Sequence, residues 1–282
     1  MKTCLVALLL IVSFNVRGQD YQEKILYDSI KSTLIPFAII SEPPFEKGFY
    51  ADSDGKFSIN PELDSIMVSC VGYGASKVKL NSTGDTIFIS ASKKILEEVT
   101  VYASRSSRRE DSKTIGFSKK SRISVQIPHG WELATLINQE NDDLAGVING
   151  INLKLKNANS EPSFRIHFYK NNNGVPGSEI SFPNMIIKSN SGFNKNVKID
   201  DLISYNIKFP EDGIFVAFES IKTDDSERPE FYLTKKYSQE NTYCRSKLDK
   251  NEWHSLYESG LTRFLSDSRS LNLSVSVEVL FD

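Results

Sequence analysis

The last part of the chain, from Leu271 to Leu280, reads Leu-Asn-Leu-Ser-Val-Ser-Val-Glu-Val-Leu and alternates between apolar and polar residues. Successive side chains of a β-strand point to opposite faces, so this pattern places one apolar row toward a core and one polar row outward. The apolar row consists of Leu271, Leu273, Val275, Val277 and Val279. The pattern predicts a strand that closes a β-sandwich by covering its core.

The preceding part of the chain, back to residue 123, has the same short-period pattern and no repeated helix-strand pairs. Apolar runs at 148–156, 164–169, 184–188, 196–199, 214–218 and 231–233 predict further strands. Polar turn residues at 171–177 and 210–213 separate some of these runs. Residues 123–282 are therefore predicted to form a jelly-roll-like β-sandwich domain.

Residues 22–103 also consist of short β-type runs separated by turn residues. Strands are expected at 25–30, 35–41, 48–51, 56–59, 65–71, 76–80, 86–90 and 98–102. Between the third and fourth lies Asp52-Ser53-Asp54-Gly55, whose carboxylates can accept from turn amides and whose glycine tolerates positive φ, as a tight hairpin requires. This spacing predicts a small sandwich, which makes the whole protein all-β.

Four short motifs in this region follow one another in an order and spacing known from one family. They are Pro36-Phe37-Ala38, Asp52-Ser53-Asp54-Gly55-Lys56-Phe57, Val68-Ser69-Cys70-Val71-Gly72-Tyr73 and Leu96-Glu97-Glu98-Val99-Thr100-Val101. In these motifs residues 22–103 resemble the carboxypeptidase regulatory-like domain. The resemblance implies a seven-stranded, transthyretin-like sandwich and an accessory, non-catalytic role in envelope and surface proteins of Gram-negative bacteria. One difference is that Ile25-Leu26-Tyr27-Asp28-Ser29 stands where the family has a Gly-x-Val-type strand.

Residues 1–18 are predicted to be a secretory signal peptide. Lys2 gives a positive start, and the apolar run from Leu5 to Phe14 is too short to span a hydrocarbon core of about 30 Å. We expect cleavage near Gly18 and no lipid anchor, because Cys4 precedes the apolar run. The expected product is soluble and exported, and lies in the periplasm, at the outer membrane or outside the cell.

The composition is that of an ordinary globular protein, with 25% charged and 39% hydrophobic residues and a formal net charge of −2. No basic surplus indicates nucleic acid as a partner, and no later apolar run predicts a membrane helix. Residues 104–122 are rich in arginine and lysine and are predicted to be a solvated linker. We expect no disulfide between Cys70 and Cys244, which fall in different domains.

One pattern bears on catalysis, since His129, Glu132 and His254 follow the ligand order of zinc carboxypeptidases. Those enzymes have a much longer α/β catalytic domain and an arginine motif for the substrate carboxylate, and neither is found here. The sequence also contains no nucleophile elbow, phosphate loop, dinucleotide fingerprint or paired-cysteine zinc site. We expect no catalytic residues, metal or cofactor, and the zinc-dependent hydrolase stays as an alternative hypothesis.

Aromatic residues are the candidates for ligand binding, because an aromatic platform on a sandwich can stack a sugar ring or clamp a peptide. Trp131, Trp253 and Tyr257 are the predicted binding residues, and a strand at 253–257 would place Trp253 and Tyr257 on one face. The leading hypothesis is a non-enzymatic binding or accessory module for a glycan, a peptide or an envelope protein. A purely structural spacer or assembly factor is the other alternative.

Overall fold

The computed structural model describes residues 21–91, 111–119, 122–139, 145–156, 161–189, 195–222, 227–235, 240–249, 252–262 and 271–281. The predicted signal peptide and the strand expected at 98–102 lie outside these residues. The described part of the chain is almost entirely β, which confirms the all-β class predicted from the sequence. None of its helices is long and apolar enough to cross a membrane.

The first domain is a sandwich of two sheets. In the described residues it has β1 (Gln22–Asp28), β2 (Ile39–Ser41), β3 (Gly48–Tyr50), β4 (Lys56–Ile59), β5 (Ser65–Cys70), β6 (Gly74–Lys79) and β7 (Thr86–Ile89). One sheet has the order β4-β1-β7, with β1 and β7 parallel, and the other has the order β3-β2-β5-β6. These seven strands overlap the first seven of the eight strands expected from the sequence, and the eighth, at 98–102, lies outside the described residues.

The turn predicted between β3 and β4 is present, but the hairpin expected there is wrong. Asp52 Oδ1 accepts hydrogen bonds from the backbone N–H groups of Asp54 and Lys56, both at 2.8 Å, and Gly55 has a φ of +71°. However, β3 pairs with β2 while β4 pairs with β1, so the turn crosses between the two sheets. Turn chemistry fixes the local bend, and the buried faces of the strands decide which sheet each strand joins.

The second domain is a larger sandwich. Its first strands are β8 (Asp111–Gly116), β9 (Ser124–Gln126), β10 (Trp131–Ile137), β11 (Gly146–Leu155), β12 (Ser163–Asn172), β13 (Val175–Glu179), β14 (Ile186–Lys188) and β15 (Lys195–Ile199). The later strands are β16 (Lys208–Phe209), β17 (Ile214–Ser220), β18 (Glu230–Thr234), β19 (Thr242–Ser246), β20 (His254–Ser255), β21 (Asn272–Leu273) and β22 (Val275–Phe281). Two short 3-10 helices, Leu80–Ser82 and Leu202–Tyr205, complete the described elements.

These strands form two sheets that enclose the main core. One sheet has the order β13-β12-β17-β10-β19-β20, with β14 beside β12. The other has the order β21-β18-β11-β22-β8, with β9, β15 and β16 at its margins. The core between them includes an aromatic cluster of Phe164, Phe218 and Phe231, whose ring centroids lie 5.7 to 6.2 Å apart. The first of the two sheets, called here the β12 sheet, faces the first domain with its outer side.

The predicted closing strand is confirmed. All five residues of its apolar row, Leu271 to Val279, are completely buried in the main core. The strand is divided at Ser274, because β21 pairs with β18 whereas β22 pairs with β11 and β8. One alternating segment therefore ties together the central strands of its sheet.

The predicted linker, residues 104–122, extends too far toward the C-terminus. Residues 111–116 form β8, which pairs with β22 from Asp111 opposite Phe281 to Gly116 opposite Ser276. Ile115 is buried in this strand. The basic and polar residues of the segment are typical of solvated chain, but they also suit an edge strand with one face in water.

Two glycines in turns provide a matched test of backbone geometry. Gly174 follows Asn173 between β12 and β13, with φ values of +84° and +53°, as a type I′ hairpin requires. Gly213 has a φ of +82°, and a β-carbon there would lie 2.5 Å from the carbonyl oxygen of Ile137. A β-carbon at Gly174 would have no heavy atom of the described residues within 4 Å.

We therefore expect Gly213→Ala to destabilise the protein more than Gly174→Ala. In the Gly174 variant the alanine must adopt the left-handed backbone conformation, which costs an L-residue about 1–2 kcal/mol. In the Gly213 variant the alanine has the same cost, and its β-carbon also clashes with the carbonyl oxygen of Ile137, which is backbone and cannot rotate away. Urea unfolding measures both free energies, and equal losses in the two variants would contradict this packing.

Candidate functional site

The outer face of the β12 sheet carries charged side chains that are nevertheless buried. Phe164, Ile166 and Phe168 of β12 point into the main core. Strand alternation then puts Arg165 and His167 on the opposite face, where each is only 1% exposed. They are buried because the first domain packs against this face.

Four charged residues form a row across four neighbouring strands of this sheet. Arg165 of β12 lies opposite Glu219 of β17, Glu219 lies opposite Glu132 of β10, and Glu132 lies opposite Arg245 of β19. We call Arg165, Glu219, Glu132 and Arg245 the charged row. Its two glutamates are adjacent and completely buried, an arrangement that is unfavourable unless positive charge compensates it.

The arginines at the two ends of the charged row supply this compensation. Arg165 Nη1 lies 3.0 Å from Glu219 Oε2, and Arg245 Nε lies 2.9 Å from Glu132 Oε2. Burial alone would raise the pKa of both glutamates. The charges of Arg165 and His167 outweigh burial at Glu219 and hold its pKa well below the usual range. Lys247, His167 and Arg245 lower the pKa of Glu132 in the same way.

His167 lies between two carboxylates. Its Nδ1 is 2.7 Å from Glu179 Oε1, and its Nε2 is 2.7 Å from Glu219 Oε2. Only the imidazolium form can donate to both carboxylates, so this geometry selects the charged ring. Burial alone would lower the pKa of His167, but Glu132, Glu179 and Glu219 outweigh it and raise the pKa.

Glu179 is held ionised by the same contact. Burial opposes its charge, but the hydrogen bond from His167 and the charges of Lys247, His167 and Arg245 prevail and lower its pKa to about 2. Glu179 belongs to β13, the edge strand beyond β12. Its carboxylate extends the network from the charged row to the rim of the sheet.

Two tyrosines complete the network. Tyr169 Oη donates to Glu132 Oε1 at 2.7 Å and accepts from Arg245 Nη2 at 2.7 Å. Tyr50, from the first domain, donates to Glu219 Oε1. Burial and the nearby glutamates raise the pKa of both tyrosines well above the usual value, so both phenols stay protonated.

Backbone groups of the first domain also contact the second. Arg165 Nη2 donates to the carbonyl of Phe37 at 2.8 Å, and the Gly48 N–H donates to the carbonyl of Leu248 at 2.9 Å. Lys47 and Asp249 form an isolated antiparallel β-bridge. The charged row and the edge of β3 thus fix the two domains against each other.

A cavity of about 320 Å³ remains between the two domains beside the charged row. We call it the cleft. Its first-domain wall consists of Ile39, Ser69, Cys70, Val71, Gly72, Gly74 and Ala75. Its second-domain wall consists of Arg165, His167, Tyr169, Gly177, Glu179, Ile180, Ser181, Phe182, Glu219, Arg245 and Lys247. The first-domain wall is uncharged and consists mostly of small residues, whereas the second-domain wall is charged, and this combination suits a small polar ligand group.

The three predicted aromatic residues do not form one platform. Trp131 packs against the main core, on the inner face of the β12 sheet. Trp253 lies on the outer face, with its ring 4.1 Å from the Arg245 guanidinium and 5.4 Å from the Tyr169 ring. Tyr257 is 43% exposed and does not line the cleft. Of the three, Trp253 alone contacts the charged network.

The residues of the zinc hypothesis are not brought together either. His129 Nδ1 lies 3.2 Å from Ser220 Oγ, Glu132 is committed to Tyr169 and Arg245, and His254 is exposed on β20. Within the described ranges, which include these three residues, no group of three or more His, Cys, Asp or Glu residues is placed to bind a metal. The reason is that Glu132 points to the outer face of the sheet, into the charged row.

Cys70 and Cys244 are both free and buried. Cys244 lies in the main core, where burial raises its pKa to about 11. Cys70 lies at the wall of the cleft, and burial raises its pKa as well. Both thiols are therefore protonated at neutral pH.

The charged residues of the cleft were not predicted from the sequence, although the sequence contains one signal for them. Arg165 and His167 alternate with Phe164, Ile166 and Phe168 in a strand that is otherwise apolar. Charge at every second position of such a strand marks one face as polar. Glu132 likewise lies between apolar neighbours, and Glu219 directly follows the apolar run 214–218.

No protein-family model matches the chain, and no match is found among curated proteins. Among solved structures, the chain is similar to the cysteine protease and lectin-like domains of Cwp84, a surface layer associated protein of Clostridium difficile, at 9% identity and a TM-score of 0.39. That match covers 95% of this chain and 65% of the other. The clostridial cysteine protease Cwp84 after propeptide cleavage is similar at 8% identity and a TM-score of 0.44, covering 95% and 73%. TM-scores this low do not establish a shared fold.

The charged network predicts a stability maximum in mildly acidic solution. Because the folded-state pKa of His167 is raised, its contribution is fully present below about pH 6.5 and is lost as the pH rises through the folded value. Because the folded-state pKa of Glu179 is lowered to about 2, its contribution is present above about pH 4.5 and is lost as the pH falls toward 2.

Urea unfolding from pH 3 to 9 measures this profile. We expect His167→Gln to remove most of the decline above about pH 6.5, because the titrating group that faces Glu132, Glu179, Glu219 and Lys247 is gone. The matched control is His254→Gln, at an exposed position of β20. An unchanged alkaline decline in the His167 variant would contradict the assignment.

Proposed function

We propose that the protein is a non-enzymatic binding or accessory module of the bacterial cell envelope or surface, and that a group of a glycan, peptide or envelope protein enters the cleft. The observation that carries the proposal is the cleft itself, a cavity of about 320 Å³ walled by both domains. A cavity of this size admits one sugar ring or one terminal residue of a peptide. The charged side chains of the second-domain wall can fix its orientation.

The hydrogen bonds and protonation states of the charged residues support a binding role over a catalytic one. A general base needs a free lone pair and a pKa near the working pH. Both ring nitrogens of His167 are bonded to carboxylates, so neither is available as a base. Glu219 receives hydrogen bonds from Tyr50, Arg165 and His167, and its low pKa makes it a poor proton carrier near neutrality.

The rigidity of the site also supports a binding role. Arg165 is held by Glu219 and by the carbonyl of Phe37, and the Arg245 guanidinium is held by Glu132 and stacked on Trp253. Side chains fixed in this way lose little conformational entropy when a ligand binds. The cleft is therefore organised before the ligand arrives.

The proposed location rests on the sequence. The apolar run near the N-terminus supports export, and the motifs at residues 36–38, 52–57, 68–73 and 96–101 support an accessory domain of the regulatory-like type. Together they favour the periplasm, the outer membrane or the surface of a Gram-negative cell. The architectural alternative, a spacer with no ligand of its own, is an outcome of the test below.

Filling the cleft should abolish ligand binding. Ala75 lines the cleft and its side chain is exposed, so Ala75→Trp places a large ring in the cavity without entering a core. Ligands found by screening glycan and peptide libraries should raise the melting temperature of the wild type, because a ligand that binds only the folded state stabilises it by about 2.7 kcal/mol at a hundredfold excess over Kd. The Ala75→Trp variant should show no such shift.

The control is Ser58→Trp, an exposed position of β4 away from the cleft, which should bind as the wild type does. Undiminished binding by Ala75→Trp would place the ligand elsewhere. Empty screens with the wild type would overturn the binding role and favour the architectural alternative.

A further inference from the structure

We infer that the ligand group that enters the cleft is a carboxylate, held by Arg165 and Lys247. This inference rests on the binding role proposed for the cleft and names the chemistry of its ligand. It follows from three properties of the site, which are its net charge, its unused hydrogen-bond donors and its lack of unused acceptors along the charged row.

The first property is a surplus of one positive charge. Among the described residues, the cations of the network are Arg165, His167, Arg245 and Lys247, and its carboxylates are Glu132, Glu179 and Glu219. His167 counts as a cation because both of its ring nitrogens face carboxylates at 2.7 Å. Four cations share only three carboxylates in this water-poor site, so a single negative charge that enters the cleft completes the charge balance.

The second property is a set of unused donors. Arg165 is buried at the wall of the cleft, and its Nη1 and Nη2 bind Glu219 and the carbonyl of Phe37, but its Nε has no hydrogen-bond partner among the described residues. Lys247 lines the cleft with a side chain only 13% exposed. Its ammonium has a weak contact of 3.3 Å with Tyr169 Oη and lies 3.7 Å from Glu132. Both cations therefore have donors left for a ligand.

The third property is that the buried acceptors of the charged row are committed. Glu219 accepts from Tyr50, Arg165 and His167, and Glu132 accepts from Tyr169 and Arg245. A neutral ligand rich in donors would find few acceptors in this part of the cleft. A ligand that brings acceptors satisfies the donors that the protein leaves unpaired.

A carboxylate fits these properties better than a phosphate. The surplus is one charge, which a carboxylate balances, whereas a phosphate monoester carries up to two charges at neutral pH. Two planar oxygens can accept from a guanidinium and an ammonium at once. The small-residue wall at Gly72, Gly74 and Ala75 leaves room for the sugar ring or peptide group that bears the carboxylate.

Two sources supply such a group, an acidic sugar and the C-terminus of a peptide, and calorimetric titration can distinguish them. The probes are glucuronic acid and N-acetylalanine, each compared with its neutral counterpart, glucose and N-acetylalanine amide. Titrations at pH 6 and low salt keep His167 charged and leave electrostatic attraction unscreened. We expect at least one acid to bind at least tenfold more tightly than its neutral counterpart.

Lys247→Gln is the variant that tests the assignment, because it removes one charge at the cleft and leaves the Arg165 contacts between the domains intact. We expect it to weaken binding of the acid at least tenfold. The control is Lys208→Gln, an exposed position of β16 outside the cleft, which should bind as the wild type does. Melting curves of both variants establish that they are folded.

Equal affinity for an acid and its neutral counterpart, or an unchanged affinity in Lys247→Gln, would overturn the carboxylate inference. Loss of that same binding in Ala75→Trp would then still support the cleft as the binding site. If none of the four probes binds, the inference is overturned, and the binding role fails as well only when the glycan and peptide screens are also empty.

Discussion

The structure depends on the pairing of two buried, adjacent glutamates with the arginines that flank them. Glu132 and Glu219 lie opposite each other on β10 and β17, where neither carboxylate reaches water. Their repulsion is tolerable because Arg165, Arg245 and the His167 imidazolium surround them and because tyrosine hydroxyls satisfy the remaining oxygens. Loss of one partner would leave a buried carboxylate without compensation.

The same network connects the two domains. Buried ion pairs often add little net stability compared with apolar packing, but they restrict how two surfaces can meet. Here Arg165 reaches the backbone of the first domain, and Tyr50 of that domain reaches Glu219. These directional contacts hold the two domains in one relative position, and the cleft lies beside them.

Local patterns explain why much of the fold was predictable and the site was not. Alternation within one segment predicted β22 and its buried valines, and turn residues predicted most strand boundaries of the first domain. The charged row instead depends on the register of four strands, β10, β12, β17 and β19, that are far apart in sequence. Trp131 packs against the main core and Trp253 packs on the outer face of the same sheet, so these two residues do not form the expected aromatic platform. Periodicity within a segment predicts on which face of a strand each residue lies, but it does not predict which strands pair with that strand.

The protonation state of His167 tests this account most directly, because both the balance of the charged row and the positive surplus of the cleft depend on it. Nitrogen-15 NMR of the histidine ring reports each ring nitrogen separately. At pH 6 we expect both nitrogens of His167 to carry protons, with each N–H donating to a carboxylate, Glu179 on one side and Glu219 on the other. A neutral ring, with one unprotonated nitrogen at that pH, would contradict it.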